Sequence, residues 1–375
     1  MTPRRGLFPV ISALVGLGLL AAAGCASDRT GRAADNRVGF NTGLPLEPGH
    51  AQEAGYSTRW VRGLALGRGQ SVYAAAPLGD LLVVVERPDN IVSAVRLGNG
   101  ELAWKTSVGD RLEDLFAPVA DDENVYVISN NRLFTLMRRN GRVTDIANLP
   151  GYAATDPCFA EGRVVYGSVD GVAIAYDPPQ RLRAWSYALE RPVLATPIVD
   201  GDQVFVADIG GHYAMLKASS GALRWRGQVY GAVTATPHRD RTQVIVAGED
   251  QSLYALASNT GEFNWPAYRS EVRLTEPPVV FDEVVYLTEP GVGLTALDAN
   301  TGRVRWQRDD APRPLALHDG RLVAVGDNQL LHLGPADGRT RQAVPLKDLA
   351  ADAPLPDGGL VLIGEDGLML RIDPN

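Results

Sequence analysis

Residues 195–228 read ATPIVDGDQVFVADIGGHYAMLKASSGALRWRGQ, and this stretch carries the plan of the whole chain. The runs 196–199 and 203–207 are short and apolar, separated by the turn Asp200-Gly201-Asp202. Ile209-Gly210-Gly211 then turns the chain into 212–217, which alternates apolar and polar residues. Ser219-Ser220-Gly221 leads into 222–228, which carries Trp225. Short runs bounded by glycine or Asx turns are the signal of successive hairpins. The stretch is therefore read as four antiparallel strands joined by three tight turns.

Working outward, the same plan recurs. GELAW (100–104), GALRW (221–225), GEFNW (261–265) and GRVRW (302–306) share a Gly-x-x-x-Trp pattern, and RLRAW (181–185) keeps the tryptophan without the glycine. Trp104, Trp185, Trp225, Trp265 and Trp306 are spaced by 81, 40, 40 and 41 residues. A degenerate copy, Gly141 to Asp145, fills the double gap, and another at Gly338 places Gln342 where the tryptophan would stand. Upstream of the best copies lie Ala195-Thr196-Pro197, Ala235-Thr236-Pro237 and Thr275-Glu276-Pro277. Four-stranded units near 40 residues are the signature of a propeller.

Seven complete units begin near Ala74, Ala117, Ala154, Ala195, Ala235, Thr275 and Ala311, while an eighth, 353–375, has room for three strands. Its missing strand is expected from 57–66, because Trp60 lies 44 residues before Trp104, close to one repeat. Pairing the first strand with the last blade closes a ring and leaves it without open ends. The expected fold is all-β: an eight-bladed β-propeller of four-stranded blades over 56–375, each fourth-strand tryptophan packing against the next blade.

The segment ahead of the propeller reads as an address. Arg4 and Arg5 precede an apolar run from 7 to 20, too short to span a bilayer comfortably and fitting a signal peptide. The run ends in Ala21-Ala22-Ala23-Gly24-Cys25, which resembles the bacterial lipobox, with Ala22 where leucine is usual. Residues 1–24 are thus expected to be removed and Cys25 lipidated. Ala26 follows, not aspartate, and the resemblance to proteobacterial lipoproteins then implies the outer membrane, facing the periplasm. Residues 25–55 are expected to form the lipidated cysteine and a flexible tether with a reach of about 30 Å.

Composition narrows the chemistry. Among the 375 residues arginine outnumbers lysine 33 to 3, yet 44 acidic residues leave a net charge of −8, which argues against binding nucleic acid by broad phosphate neutralisation. Two cysteines, Cys25 and Cys158, make neither a disulfide framework nor a zinc site, and five histidines include no His-x-x-x-His pair. No Gly-x-Ser-x-Gly elbow or phosphate loop stands out. Cys158 is expected on an inner strand as a small hydrophobe. Asp89, Asp170, Asp208, Asp250, Glu289, Asp327 and Asp366 recur in the turn between second and third strands. They suit a cation site or acidic docking face, but equally the preference of such turns for residues that bond their own backbone.

The segments YALASNTGEFNW (254–265) and ALDANTGRVRW (296–306), with the Ala-Thr-Pro openings, resemble the PQQ-like β-propeller repeat family. Within it, the signal, lipid cysteine, tether and bare blades resemble the BamB lipoproteins more than the quinoprotein dehydrogenases. The resemblance implies a non-catalytic, lipid-anchored and monomeric scaffold that binds the outer-membrane barrel-assembly machinery and carries no cofactor or metal. It also implies partner contacts in the loops 186–194 and 226–233, with Leu189 and Arg191 as candidate partner-binding residues and Glu190 and Pro192 as departures from the family pattern. The alternative is a periplasmic quinoprotein-like dehydrogenase or a small-ligand-binding propeller, although the chain lacks the adjacent cysteine pair of many such enzymes.

Overall fold

The computed structural model describes residues 43–375; Cys25 and the signal segment lie outside the described residues. Eight four-stranded antiparallel sheets form the ring of an eight-bladed β-propeller. Blade 1 consists of Ser71–Leu78, Leu81–Arg87, Ile91–Arg96 and Leu102–Ser107. Blades 2 to 7 follow over 119–148, 158–188, 198–228, 238–269, 279–308 and 313–345. Blade 8 takes Leu349–Pro354, Leu360–Gly364 and Leu368–Pro374 from the C-terminal end, and Tyr56–Gly63 supplies its outer strand. The closing pair runs from Tyr56 opposite Pro374 to Gly63 opposite Leu368, with one register shift between Thr58 and Trp60. Closure by the strand that carries Trp60 is therefore as the repeat spacing predicts.

First strands of successive blades lie against one another, so they are the innermost and the fourth strands the outermost. The core is divided accordingly into eight apolar clusters, each shared by two neighbouring blades. Alternation along each strand explains the division: a blade buries one set of side chains against the blade before it and the other against the blade after it. Blade 5 departs from the pattern on its outside. Pro266 follows Trp265 directly and cannot donate to a ladder, and the outer strand is reduced to Tyr268–Arg269 plus a single bridge at Phe263.

The tryptophans join the blades. Where the outer strand is continuous, in blades 1, 3, 4, 6 and 8, it slips register by one residue next to its tryptophan, as where Met215 faces Trp225 but Leu216 faces Leu223. Such bulges re-aim a side chain. The indole N–H then donates to a carbonyl in the third-to-outer turn of the next blade: Trp60 to Leu97, Trp104 to Arg138, Trp185 to Ala218, Trp225 to Ser258, Trp265 to Ala299 and Trp306 to Pro335, at 2.7–3.0 Å. Under each ring sits the glycine of that same turn, namely Gly100, Gly141, Gly221, Gly261, Gly302 or Gly338, at φ between +65° and +75°. A Cβ there would press into the indole, at 2.6 Å for Gly100 and 2.8 Å for Gly221. The glycine of each Gly-x-x-x-Trp unit therefore serves the tryptophan of the blade before it, not its own.

Two interfaces lack the pair, and each has a replacement. Between blades 2 and 3, Asp145 stands at the tryptophan position and Arg181 at the glycine position, and the two form a bidentate ion pair. Tyr126 and Phe159 stack there with centroids 5.5 Å apart. Between blades 7 and 8, Gln342 donates to the carbonyl of Glu53 at the end of a short helix, Pro48–Glu53. Leu46, Ala51 and Ala54 around this helix are buried in the blade 7–8 cluster. Residues 44–54 thus pack against the ring, a correction to the tether expected through residue 55: their sparse apolar side chains fill the place that a third-to-outer turn occupies in every other blade.

The same interface holds His332, buried with neither ring nitrogen finding a hydrogen-bond partner among the described residues. It meets Tyr56 edge-on, with centroids 5.9 Å apart. His332 is held below the ordinary histidine range by burial first, then by Arg321 and His318; burial also lowers His238 on the inner strand of blade 5. As pH falls below the ordinary value of 6.5, the unfolded chain takes up these protons first, so stability present at neutral pH is lost. His332→Phe should flatten the fall in melting temperature between about pH 7 and about pH 5. An unchanged slope would contradict the placement.

Trp225→Ala should lower stability by about 3–5 kcal/mol in an equilibrium denaturation, through lost packing plus an orphaned carbonyl. Gly261→Ala, which changes a residue of blade 5 and presses its Cβ into Trp225 of blade 4, should cost about 1–3 kcal/mol at the same interface. Equal stability of either variant to the parent would refute the pairing.

Candidate functional site

Four strands run alternately up and down, so the second-to-third turns and the blade-to-blade loops share one face of the ring. Backbone hydrogen bonds lace them together. Val169 N–H donates to the Tyr152 carbonyl, Val193 N–H to Ser168 and Ile209 N–H to Pro192, at 3.0–3.1 Å. The loops of blades 2, 3 and 4 thereby form one continuous surface, and Arg191 lies on it.

The loop 186–194 joins the outer strand Leu182–Ala188 of blade 3 to the inner strand Ile198–Asp200 of blade 4. Arg191 is exposed. Leu189 is half-buried, packing against the blade 3–4 cluster while lining a groove of about 370 Å³ with Tyr187, Glu190, His212, Arg226 and Gln228. The two residues singled out from the sequence are thus in one loop but point to different environments. The loop 226–233 separates this groove from a second, of about 450 Å³, lined by Tyr230, Tyr254, Phe263, Trp265, Pro266 and Arg269. The second groove opens where Pro266 interrupts the outer strand.

Apolar side chains distinguish this part of the face. Leu112, Tyr152, Val169, Leu194 and Tyr230 are exposed in the loops and turns of blades 1 to 5, with Leu112 at 98 % and Tyr230 at 86 %. The backbone bonds just described set Tyr152, Val169 and Leu194 beside one another. Sequence reasoning passed over these residues because each is a single apolar side chain in a loop. The available signal was their recurrence in the blade-to-blade connections and, for Val169, in a second-to-third turn, which otherwise favour Gly, Pro and polar residues.

The acidic turn residues do not act together. Asp208 is buried and accepts backbone N–H groups, Asp250 accepts Tyr254 and Ser252 at 2.5 and 2.8 Å, and buried Glu289 accepts the hydroxyls of Ser270 and Thr295. Asp89 holds Gln70 and Arg111, and Asp366 accepts the N–H of Leu368 at 2.9 Å. Among the described residues no group of three His, Cys, Asp or Glu side chains is placed to hold a metal ion. Bonding to the backbone of their own turn is seen for Asp208 and Asp366, whereas Asp89, Asp250 and Glu289 hold side chains. Cys158 sits on the inner strand of blade 3, where burial pushes its thiol up to about 12. A thiolate nucleophile is not available there near neutral pH.

The family model described as outer membrane protein assembly factor BamB matches residues 88–196 and 169–313, more than half of the chain. Relatives of that name are 25% identical over 272 residues in Yersinia pestis, covering 63% of this chain and 68% of the relative, and 24% identical over 337 residues in Burkholderia pseudomallei, covering 82% and 85%. A tetrathionate hydrolase of Acidithiobacillus ferrooxidans is 26% identical over 291 residues, 72% of this chain and 54% of the enzyme. The crystal structure of BamB from Moraxella catarrhalis has the same fold, with a TM-score of 0.68 and 18% identity over 84% of this chain and 97% of that one. The repeat, the closed eight-bladed ring and the family match agree: this chain belongs to the BamB family.

Proposed function

We propose that this protein is a lipid-anchored scaffold of the periplasmic side of the outer membrane, which docks a protein of the barrel-assembly machinery and so assists insertion of β-barrel proteins. The observation that carries this reading is the exposed apolar group Tyr152, Val169 and Leu194 beside exposed Arg191, on one sector of one face. Apolar anchors next to an arginine are the composition of a protein-binding hot spot. Membership of a family described as an assembly factor supplies the partner class. In this reading Cys25 carries the lipid, Arg191 meets the partner directly, and Leu189 shapes the groove beneath it. No cofactor, metal or catalytic residue takes part.

A catalytic reading draws on the tetrathionate hydrolase relative. Turnover of tetrathionate, or a quinone absorbance with dye-linked turnover, would favour an enzyme over the scaffold. The direct test is crosslinked capture from envelope membranes with the tagged, lipidated chain, using Cys25→Ser as the unanchored control. Recovery of the barrel insertase is expected. Arg191→Glu should weaken that capture by about 30-fold, the effect of losing a hot spot worth about 2 kcal/mol. Recovery of unrelated envelope proteins, or capture indifferent to Arg191→Glu, would overturn the docking reading.

A further inference from the structure

Asp208 differs from the other acidic turn residues in what it holds. Its side chain is fully buried beneath the loop between blades 3 and 4. Oδ1 accepts the N–H of Gly210 at 2.8 Å and of His212 at 2.9 Å, both in its own turn. Oδ2 accepts the N–H of Arg191 at 2.9 Å and of Glu190 at 3.1 Å, from the incoming loop. The His212 ring completes the set, with Nδ1 3.1 Å from Oδ2 and Nε2 3.5 Å from the Glu190 carboxylate. Four backbone donors fill the acceptor capacity of one carboxylate, and the imidazole lies against it as a further contact. By contrast Asp89, Asp250 and Glu289 hold side chains.

We propose that Asp208 is the positioning residue of the docking loop, clamping the backbone at Glu190 and Arg191 so that the Arg191 side chain is presented outward at a fixed place. The assignment rests on the reading of this loop as the docking site. The chemistry requires a carboxylate. An asparagine of the same shape has one acceptor oxygen, and its NH₂ would face two N–H donors, so two backbone groups would lose their partner in a buried place. The loop relieves that by moving out to water, and the arginine moves with it. Because the clamp lies between two blades and away from the tryptophan contacts, the ring itself can persist when it opens.

The test uses the full lipidated chain carrying Asp208→Asn, with thermal unfolding to establish that the ring still melts cooperatively. Two readouts follow: hydrogen exchange at the amides of Glu190 and Arg191, and capture of the periplasmic region of the barrel insertase. Exchange at both amides should quicken by about tenfold or more. Capture should fall toward the level of Arg191→Glu, and the double variant should be no weaker than Arg191→Glu alone, because both changes remove the same contact. Unchanged exchange would overturn the clamp. Faster exchange with full capture, where Arg191→Glu abolishes capture, would show that the clamp does not serve docking. Capture indifferent to Arg191→Glu sinks the docking reading instead, and the role assigned to Asp208 with it, whatever the amides show. If Asp208→Asn yields no folded ring, Glu190→Pro removes one loop-side donor while leaving the buried carboxylate in place, and the same outcomes then apply with exchange read at the Arg191 amide alone.

Discussion

The contact of an indole N–H with a carbonyl of the next blade, over a glycine that leaves room for the ring, is the constraint on which the rest of this molecule depends. It couples three demands at once. The outer strand must bulge to aim the tryptophan, as at Met215 and Leu216 opposite Trp225 and Leu223. The next blade must turn at positive φ to place the carbonyl, and its turn residue must lack a Cβ, as Gly261 does beneath Trp225. A four-stranded sheet has two apolar faces and cannot bury both alone, so this contact, repeated around the ring, brings separate sheets into one structure. Closure by Tyr56–Gly63 extends it to the last interface that has a tryptophan, between blades 8 and 1, through Trp60 and Leu97.

The exceptions support the same logic. Losing the tryptophan at Asp145 removes the reason for a glycine at 181, and an arginine stands there at φ +54° and pairs with the aspartate. A neutral stitch has been exchanged for a charged one whose arginine is largely open to solvent, and exposed ion pairs contribute little. The stacked Tyr126 and Phe159 add apolar contact at this interface. At the blade 7–8 interface the polar contact survives as Gln342 and Glu53, and the short helix fills the space with Leu46, Ala51 and Ala54. Each substitution makes sense only across the interface, never within one repeat.

Stability and the proposed recognition occupy opposite faces. The tryptophan contacts engage third-to-outer turns, while the proposed docking loops lie among the blade-to-blade connections on the other side. Loops and turns outside the tryptophan contacts differ from blade to blade, and among the described residues those of blades 1 to 5 expose Leu112, Tyr152, Val169, Leu194 and Tyr230. A rigid scaffold with one differentiated sector is suited to positioning another protein. In the proposed reading Asp208 links the two, since its buried carboxylate ties a surface loop to the blade beneath it.

Much of this was legible in the order of residues. The tryptophan spacing, the Gly and Asx turns and the alternation in 212–217 determined the blade count, the four-strand unit, the closing role of Trp60 and the inner-strand place of Cys158, because these are local and periodic properties. What only the tertiary structure decided involves partners from different repeats. Gly261 belongs with Trp225, Arg181 with Asp145, Gln342 with Glu53, and Asp208 with the backbone of Glu190 and Arg191. The helix over 48–53 was missed for the same reason: its few apolar residues have no period of their own, and they are ordered by a gap in the ring that exists only once the last blade has closed. Periodicity specifies what each unit is, whereas close packing between units specifies which residues must answer one another.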